Sequence, residues 1–537
     1  FNGLQVAARR PRGLAAVISL CSTVDRFADD IHYKGGCMLS ENLGWHATAT
    51  SWLTMPPDPD LRPDWREAWL KRLNTFPHLG AVWSQHQTRD AYWKHGSICE
   101  DFSAIEVPVL SIGGWHDGYR NTPARLLEGL PGVAKAIVGP WNHKYPHIAT
   151  PSPRIDYVTE AARWWDHWLK GEDTGVTHDP AARLYLMDGI APATSYAHRP
   201  GRWIALDEWP SPAITDTHLA LGPNTLGTAA PFTKTAHSAP RHGEGCGEYF
   251  PFGFGPGELP DDQRADDARA LCFDAEPLDA PFAIVGAPTA RVTLSADQPR
   301  AQLVARLCDV APDGASTLIT YGILNLAFRD GFEVAEPLTP GAPITVTLQL
   351  DQSAYELPAG HHLRLAIAPS YWPFAFPEPG NAALTLTGGT LTLPRLDPAH
   401  RTACTFAENT PETTQSHQIV RHGTETKGWQ TEAAYRTLEI IADHGETQDL
   451  SHGLKNSSSV SERWSINPNS TDDVKATIKW DRALTRGDIV ARTELETTLH
   501  ADATHFRLST SLRAFEGDEC LFERDWAEDI PRLGAPT

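Results

Sequence analysis

A chain of 537 residues is too long for one hydrophobic core, so we expect three or four domains. Its content of 41% hydrophobic and 21% charged residues is ordinary for a globular protein that dissolves in water. The formal net charge of −21 argues against a nucleic-acid partner and against an anionic membrane surface, because both require clustered Lys and Arg.

The first two predicted elements are a helix and a buried strand. Phe1, Leu4, Ala7 and Ala8 share one helical face, and Pro11 ends the helix. The continuous apolar run from 14 to 20 is typical of a strand that is covered on both faces. A helix followed at once by such a strand is half of a βαβ unit, whose first strand is absent from the sequence.

The segment 22–103 is rich in aromatic residues and helical periods. Trp65, Trp69 and Leu73 recur at helical spacing between Pro63 and Pro77. Because the segments on both sides look like parallel strands, we predict a helical cap inserted into an α/β core made of 1–21 and 104–175.

The predicted sheet resumes with strands at 107–112 and 134–138, followed by a helix at 155–170. Gly171 ends this helix, which carries an apolar stripe at i, i+3, i+4, i+7 and i+8: Ala161, Trp164, Trp165, Trp168 and Leu169. At this spacing we interpret the tryptophans as packing residues and not as a sugar-binding surface.

After Gly175 the sequence changes to short strands separated by Gly, Pro and Asp turns. We predict a jelly-roll β-sandwich over 176–400 and a further β-rich region over 401–537, so the fold class is α/β plus all-β. The predicted strands are 182–188, 217–221, 283–295, 301–309, 343–350, 361–368, 476–480, 489–499 and 505–514. A serine-rich loop is expected at 456–461.

Asp117 and His143 are the candidate catalytic residues. Each follows an apolar run and a Gly-containing turn, and they lie 26 residues apart, about one strand–helix–strand step. A lone Asp at a turn usually bonds its own backbone, and a lone loop histidine is usually structural. Together, however, they fit the Asp-before-His order of an α/β-hydrolase, with His143 as general base and acid and Asp117 as its orienting partner.

A nucleophile is missing from the sequence. The glycine pairs four apart enclose His116, Asp173, Gly245 and Gly255, so no Gly-x-Ser-x-Gly elbow is present. His143 and His147 are also four apart, but Pro146 lies between them and no HExxH motif exists. We therefore predict no metal and no cofactor.

The eight cysteines are scattered, without a CxxC pair, and several lie in apolar runs. This pattern favours buried thiols in a reducing compartment, and so a cytoplasmic location. A signal peptide upstream of Phe1 is compatible with the sequence. No run of residues approaches the ~20 apolar residues of a membrane span.

Three motifs resemble those of a known family. They are Gly113-Gly114-Trp115-His116-Asp117-Gly118-Tyr119, Gly139-Pro140-Trp141-Asn142-His143 and the run from Arg163 to Gly175. The segments 305–314 and 357–365 match its β-sandwich. Over Phe1 to about Pro398 the chain resembles the α/β-hydrolases that include X-Pro dipeptidyl-peptidases, bacterial cocaine esterase and cephalosporin acylases.

The resemblance implies a serine hydrolase that acts on ester, amide or dipeptidyl bonds through an acyl-enzyme. In that family the serine elbow precedes a helix that begins like Phe1-Asn2-Gly3, so we expect the serine about four residues before Phe1. The chain would then be a carboxy-terminal portion without nucleophile and oxyanion hole, and inactive alone. The expected substrate is a small-molecule ester or amide, or a short peptide.

The resemblance also suggests substrate-binding residues. We expect Tyr119 to line the acyl pocket, and we assign Trp115 and Trp141 to substrate binding as well. One branch of the family binds an α-ammonium group with acidic residues two and three positions after the catalytic Asp; here these are Tyr119 and Arg120. The acidic pair at 29–30 could replace them, but we favour a solvated or helix-capping role for it.

A non-catalytic or degenerate binding protein, which recognises carbohydrate or peptide through the β-sandwich, is the alternative interpretation. The predicted strand at 14–20 would also expose an apolar edge if its inner neighbour is missing. Such an edge favours pairing with another chain, so a homo-oligomer is compatible with the sequence.

Overall fold

The computed structural model describes residues 1–253, 256–400, 402–407, 409, 417–432 and 434–534. The chain divides into two compact units. The first comprises Phe1–Cys37, Thr88–Ala375 and Ala382–Thr410. The second comprises Met38–Gln87, Phe376–Asn381 and Pro411–Thr537.

A parallel sheet begins the first unit. Its strands, hydrogen-bonded in chain order, are Val17–Leu20, Val109–Gly114, Ala134–Gly139 and Ala182–Asp188. Val109–Gly114 is buried along its whole length, as expected for a strand covered on both faces. The predicted α/β core is therefore confirmed in its strands, and the carboxyl ends of its strands meet at one edge.

The parallel sheet continues without interruption into antiparallel strands. Ser353–Leu357 pairs in parallel with Ala182–Asp188 and antiparallel with Phe282–Gly286. The remaining strands of this sheet are Leu384–Leu396, Thr289–Ala296, Ile344–Gln349, Gly201–Leu206, Ile214–Leu221, Leu226–Gly227 and Lys234–Ala236. The predicted strand 283–295 is two strands in the structure, because the first one ends at Gly286, whose φ is 131°.

A second antiparallel sheet faces the first across a common core. Its strands are Leu271–Asp274, His362–Ala368, Gln302–Val310 and Ser316–Asn325. Ile284 and Leu294 from the first sheet and Leu307 and Leu365 from the second are fully buried in the same hydrophobic cluster. This confirms a sandwich of β-sheets, while the jelly-roll connectivity stays a prediction.

Helices cover the first unit at Asn2–Ala8, Ala91–Gly96, Thr122–Gly129, Tyr157–Trp165 and Arg264–Asp267. Tyr157–Trp165 continues through a π turn, Asp166–Lys170, and ends at Gly171 in the left-handed region. Trp164 of the predicted stripe is buried, but Leu169 is 63% exposed. The wider turn explains the difference, since it rotates the last residues away from the face that the helical period predicts.

The second unit combines helices with one antiparallel sheet. The helices are Glu41–Leu53, Trp65–Thr75 and Leu79–Gln85. Trp65, Trp69 and Leu73, which recur at helical spacing, are all buried. The sheet strands, in hydrogen-bonded order, are His417–Arg421, Tyr435–Asp449, Lys455–Ile466, Val474–Arg486, Ile489–Ala501, His505–Glu516 and Glu519–Pro531. Thr424–Glu432 pairs with Tyr435–Asp449.

The predicted serine-rich loop at 456–461 is wrong. These residues lie in the strand Lys455–Ile466, paired on both sides with neighbouring strands. Serine has little intrinsic preference for strands, but two adjacent strands satisfy the backbone and override that preference. The side chains at 456–461 are mostly half-buried or exposed, so their hydroxyls need no apolar surroundings.

The helical segment predicted at 22–103 contributes to both units, since Met38–Gln87 belongs with the C-terminal sheet. The four predicted domain boundaries stay predictions. One of them, at 400/401, lies beside residue 401, which is outside the described residues. In the part of the chain that the structure describes, no helix is both long enough and apolar enough to cross a lipid bilayer.

Candidate active site

Two loops at the carboxyl edge of the parallel sheet bring Asp117 and His143 into contact. His143 Nδ1 lies 3.1 Å from each carboxylate oxygen of Asp117. The Asp117 side chain is fully buried, whereas that of His143 is 26% exposed. The carboxylate therefore holds the ring by one nitrogen and leaves Nε2 as the nitrogen available for proton transfer.

Small residues allow these loops to approach each other. A Cβ atom on Gly114 would lie 2.1 Å from the backbone oxygen of Trp141, and one on Gly139 would meet the Trp141 ring. Backbone bonds then join the loops, from Trp115 N to Gly139 O at 2.9 Å and from His116 N to Trp141 O at 3.0 Å. The Gly-Gly-Trp and Gly-Pro-Trp motifs thus fix the geometry of the Asp–His pair.

The buried carboxylate of Asp117 is stabilised in its charged form. Burial opposes ionisation, but His143 and the hydrogen bonds from the Tyr119 amide and the Cys21 thiol hold the pKa of Asp117 below its usual value. Asp117 is therefore an anion over the whole range in which a histidine base works. That charge stabilises the imidazolium that forms when His143 accepts a proton.

Cys21 belongs to the site, although the sequence did not identify it. It follows the strand Val17–Leu20 with a φ of +46°, an uncommon conformation for a residue with a side chain. Burial and the neighbouring Asp117 raise the pKa of its thiol well above its usual value. The ligand atoms of Cys21, Asp117 and His143 lie within 4.8 Å of one another, so this trio could hold a metal ion, but two of the donors already bond each other.

Aromatic rings surround the exposed side of His143. The rings of Phe250, Phe252 and Tyr119 lie 4.6, 5.5 and 5.9 Å from its ring, measured between centroids. His143 N also donates to Pro251 O at 2.9 Å. The segment 249–252 reaches the site from more than 100 residues away, and no motif marks it in the sequence.

The structure contradicts the solvated or capping role that was expected for the acidic pair at 29–30. Asp30 is completely buried, and it accepts a hydrogen bond from the Tyr119 hydroxyl at 2.9 Å and one from Arg26. Burial raises the pKa of Asp30 to about 6. Asp29 is paired with the buried Lys34 at 2.5 Å. Both residues are buried, and both accept hydrogen bonds from side chains that follow Asp117 in the chain, Tyr119 to Asp30 and Asn121 to Asp29.

The two tryptophans that were predicted to bind substrate, Trp115 and Trp141, are buried. Trp115 is 5% exposed and donates from Nε1 to Tyr185 O at 2.7 Å. Trp141 is 1% exposed and donates to Pro153 O at 2.8 Å. Their assignment stays a prediction, and Tyr119 is the one member of the predicted trio whose ring contacts His143.

Two family models match the chain. X-Pro dipeptidyl-peptidase (S15 family) matches residues 1–145, and the X-Pro dipeptidyl-peptidase C-terminal non-catalytic domain matches residues 174–423. The first match contains Cys21, Asp117 and His143, and the second contains the sandwich. Most of the antiparallel sheet of the second unit lies beyond both matches.

Similar proteins agree with these matches. A Mycobacterium bovis protein that carries the name serine esterase is 28% identical over 52% of the chain and 46% of its own length. Cocaine esterase of Rhodococcus is 24% identical over 69% of the chain and 71% of its own length. A CocE/NonD family hydrolase structure from Staphylococcus aureus superposes with a TM-score of 0.54 at 15% identity, covering 73% of this chain and 70% of its own.

The structural likeness shows an α/β-hydrolase fold. The chain spans about half the length of several curated relatives that it matches. The two family models, together with the curated relatives, show that the chain belongs to the X-Pro dipeptidyl-peptidase and cocaine esterase family of α/β-hydrolases.

Proposed function

We propose that this chain supplies the base and the orienting acid of a serine hydrolase that cleaves ester or amide bonds. The observation that carries the proposal is the contact of His143 Nδ1 with both oxygens of a fully buried Asp117. A general base of this kind needs one ring nitrogen held by an acid and the other left for proton transfer. Asp117 holds Nδ1 of His143, and the His143 side chain is partly exposed. The family relationship, with its esterases and peptidases, supports the same chemistry.

In the proposed reaction His143 Nε2 removes the proton of a serine hydroxyl as the serine oxygen attacks the substrate carbonyl. The resulting imidazolium gives that proton to the leaving alcohol or amine, and an acyl-enzyme remains. Water then repeats the sequence, with His143 as base, and releases the acid. Asp117 keeps its negative charge throughout and stabilises the imidazolium.

The nucleophile is proposed to lie outside the 537 residues, on an elbow that precedes Phe1. Support comes from the lack of a Gly-x-Ser-x-Gly sequence and from the family pattern at the Asn2–Ala8 helix. The acyl group of a small ester, amide or short peptide would pack on the Tyr119 and Phe250 rings beside His143. No cofactor enters this proposed reaction.

Fluorophosphonate labelling tests the proposal, because the probe reacts with a serine that an adjacent base activates. We expect a chain extended upstream through the elbow to be labelled and the 537-residue chain to remain unlabelled. Labelling of the 537-residue chain would refute the placement of the serine. An extended chain that folds but does not label would favour the rival function, a binding protein that recognises carbohydrate or peptide through its β-sandwich.

A further inference from the structure

A small cavity inside the first unit adjoins the segment that carries Asp117. Its volume is about 50 Å³, enough for a few water molecules or one small ion. Trp115, His116 and Arg120 form one part of its lining, and Arg199 and Tyr355 belong to another. The cavity is separate from the exposed face of His143, which is not among its lining residues.

Arg199 is a buried cation without a compensating anion. Its side chain belongs to a residue that is 2% exposed, and its Nε and Nη1 atoms are buried without a hydrogen-bond partner. Its guanidinium lies over the rings of Tyr196 and Tyr355, at 5.2 and 5.7 Å from their centroids. Among the described residues, no carboxylate forms an ion pair with it. A buried charge is normally paired, so this environment is incomplete.

Two further groups add positive potential and hydrogen-bonding capacity. Arg120 donates from Nε to the backbone oxygen of Asp117 at 3.0 Å and places its guanidinium 5.8 Å from the centroid of Tyr321. His116 Nε2 is buried and has no hydrogen-bond partner in the described structure. Burial and the charges of Arg199 and Arg120 lower the pKa of His116 well below its usual value, so the ring is neutral.

Glu248 is the carboxylate found in the cavity lining. One carboxylate against two guanidinium groups leaves the cavity with a net positive charge. The other lining residues are largely apolar or aromatic, including Leu318, Ile319 and Phe374, so they neither neutralise this charge nor leave space for a large ligand.

We propose that this cavity binds one small monovalent anion, of the size of a halide or formate ion. The unpartnered Nε and Nη1 atoms of Arg199 would bind it directly, and Arg120 would add charge from the side of Asp117. A halide or formate fits a volume of about 50 Å³, whereas larger organic anions do not. This inference is independent of the proposed hydrolase function, since it concerns only groups buried behind the catalytic pair.

The test uses the 537-residue chain with bromide and formate as probes. Thermal unfolding is measured at constant ionic strength while bromide or formate replaces gluconate, which is too large for the cavity. We expect a saturable rise in Tm of about 1–3 °C, because binding to the folded state stabilises it. Anomalous diffraction from a crystal soaked in bromide should show a peak next to Arg199.

Variants separate this site from general effects of salt. Arg199→Met should abolish the saturable rise, while Arg291→Met, at an exposed arginine of the same unit, should retain it. If Arg199→Met does not fold, Arg199→Lys replaces it in the same measurement. This variant should weaken anion binding by at least tenfold, because Lys lacks the Nε and Nη1 donors. Water alone in the cavity at saturating bromide, or an unchanged anion response in the Arg199 variants, would overturn the proposal.

Discussion

Acidification should destabilise the second unit through a buried histidine. His46 accepts a hydrogen bond at Nδ1 from Gly80 N at 3.1 Å, so its proton is on Nε2, which lies 3.1 Å from Thr510 Oγ1. His78 shares the same threonine, with Nε2 at 3.0 Å. A proton added to His46 at Nδ1 breaks the Gly80 bond and places a charge in a site where, among the described residues, the ring bonds only Thr50, Gly80 and Thr510 and no carboxylate.

The magnitude follows from the pKa of His46. Burial, together with His78, lowers this pKa from 6.5 to about 3. Because the folded state binds the proton less well than the unfolded state, the stabilisation is complete above pH 6.5 and is lost as the pH falls from 6.5 towards 3. At about pH 5 the loss is about 2 kcal/mol, from roughly 1.4 kcal/mol per pH unit. His78, whose pKa burial lowers to about 4, acts in the same direction.

Urea unfolding at about pH 7.5 and about pH 5 measures this loss, and pulsed hydrogen exchange at one fixed pH assigns the transition to the second unit. His46→Gln keeps a neutral side chain able to donate and accept, so the variant should lose about 2 kcal/mol less than the wild type between the two pH values. His452→Gln, at a side chain that is 45% exposed, is the matched control. Equal losses in the wild type and in His46→Gln would refute the reasoning.

Three further outcomes are expected. In a chain extended upstream, Asp117→Asn should lower the rate of fluorophosphonate labelling by about 10³–10⁴-fold with folding retained, because the amide cannot stabilise the imidazolium; an undiminished rate would remove Asp117 from the triad. Burial raises the pKa of Asp30 from 3.8 to about 6, so the folded state binds this proton more tightly than the unfolded state. The stabilisation by the protonated carboxyl is therefore complete below pH 3.8 and is lost as the pH rises through 6. Urea unfolding should therefore show that the wild type loses up to about 3 kcal/mol relative to Asp30→Asn between about pH 4 and about pH 7, and parallel pH profiles would contradict this. Gly114→Ala, whose Cβ would lie 2.1 Å from Trp141 O, should lower the free energy of unfolding by about 1–3 kcal/mol. Gly388→Ala, with no atom within 4 Å of the added Cβ, should change it little, and equal effects of the two alanines would contradict the close approach.

The contact between Asp117 and His143 could be predicted from the sequence because local patterns encode it. The strands Val109–Gly114 and Ala134–Gly139 are short apolar runs, each ended by a glycine turn, and parallel strands present their following loops at one edge. Adjacent strands in one sheet then bring Asp117 and His143 together. The surroundings of the pair could not be predicted in this way, since Phe250 and Asp30 reach it through tertiary packing alone.

Local sequence patterns were enough to predict the order of the elements, the parallel and antiparallel parts of the fold and the positions of Asp117 and His143. Periodicity and turn residues act over a few neighbours, so these features are readable without a structure. Three features required the folded structure: the strand at Lys455–Ile466, the grouping of Met38–Gln87 with the C-terminal sheet, and the buried Arg199 atoms without hydrogen-bond partners. Each of these depends on partners far away in the chain, where pairing of strands and burial of charge override local preference.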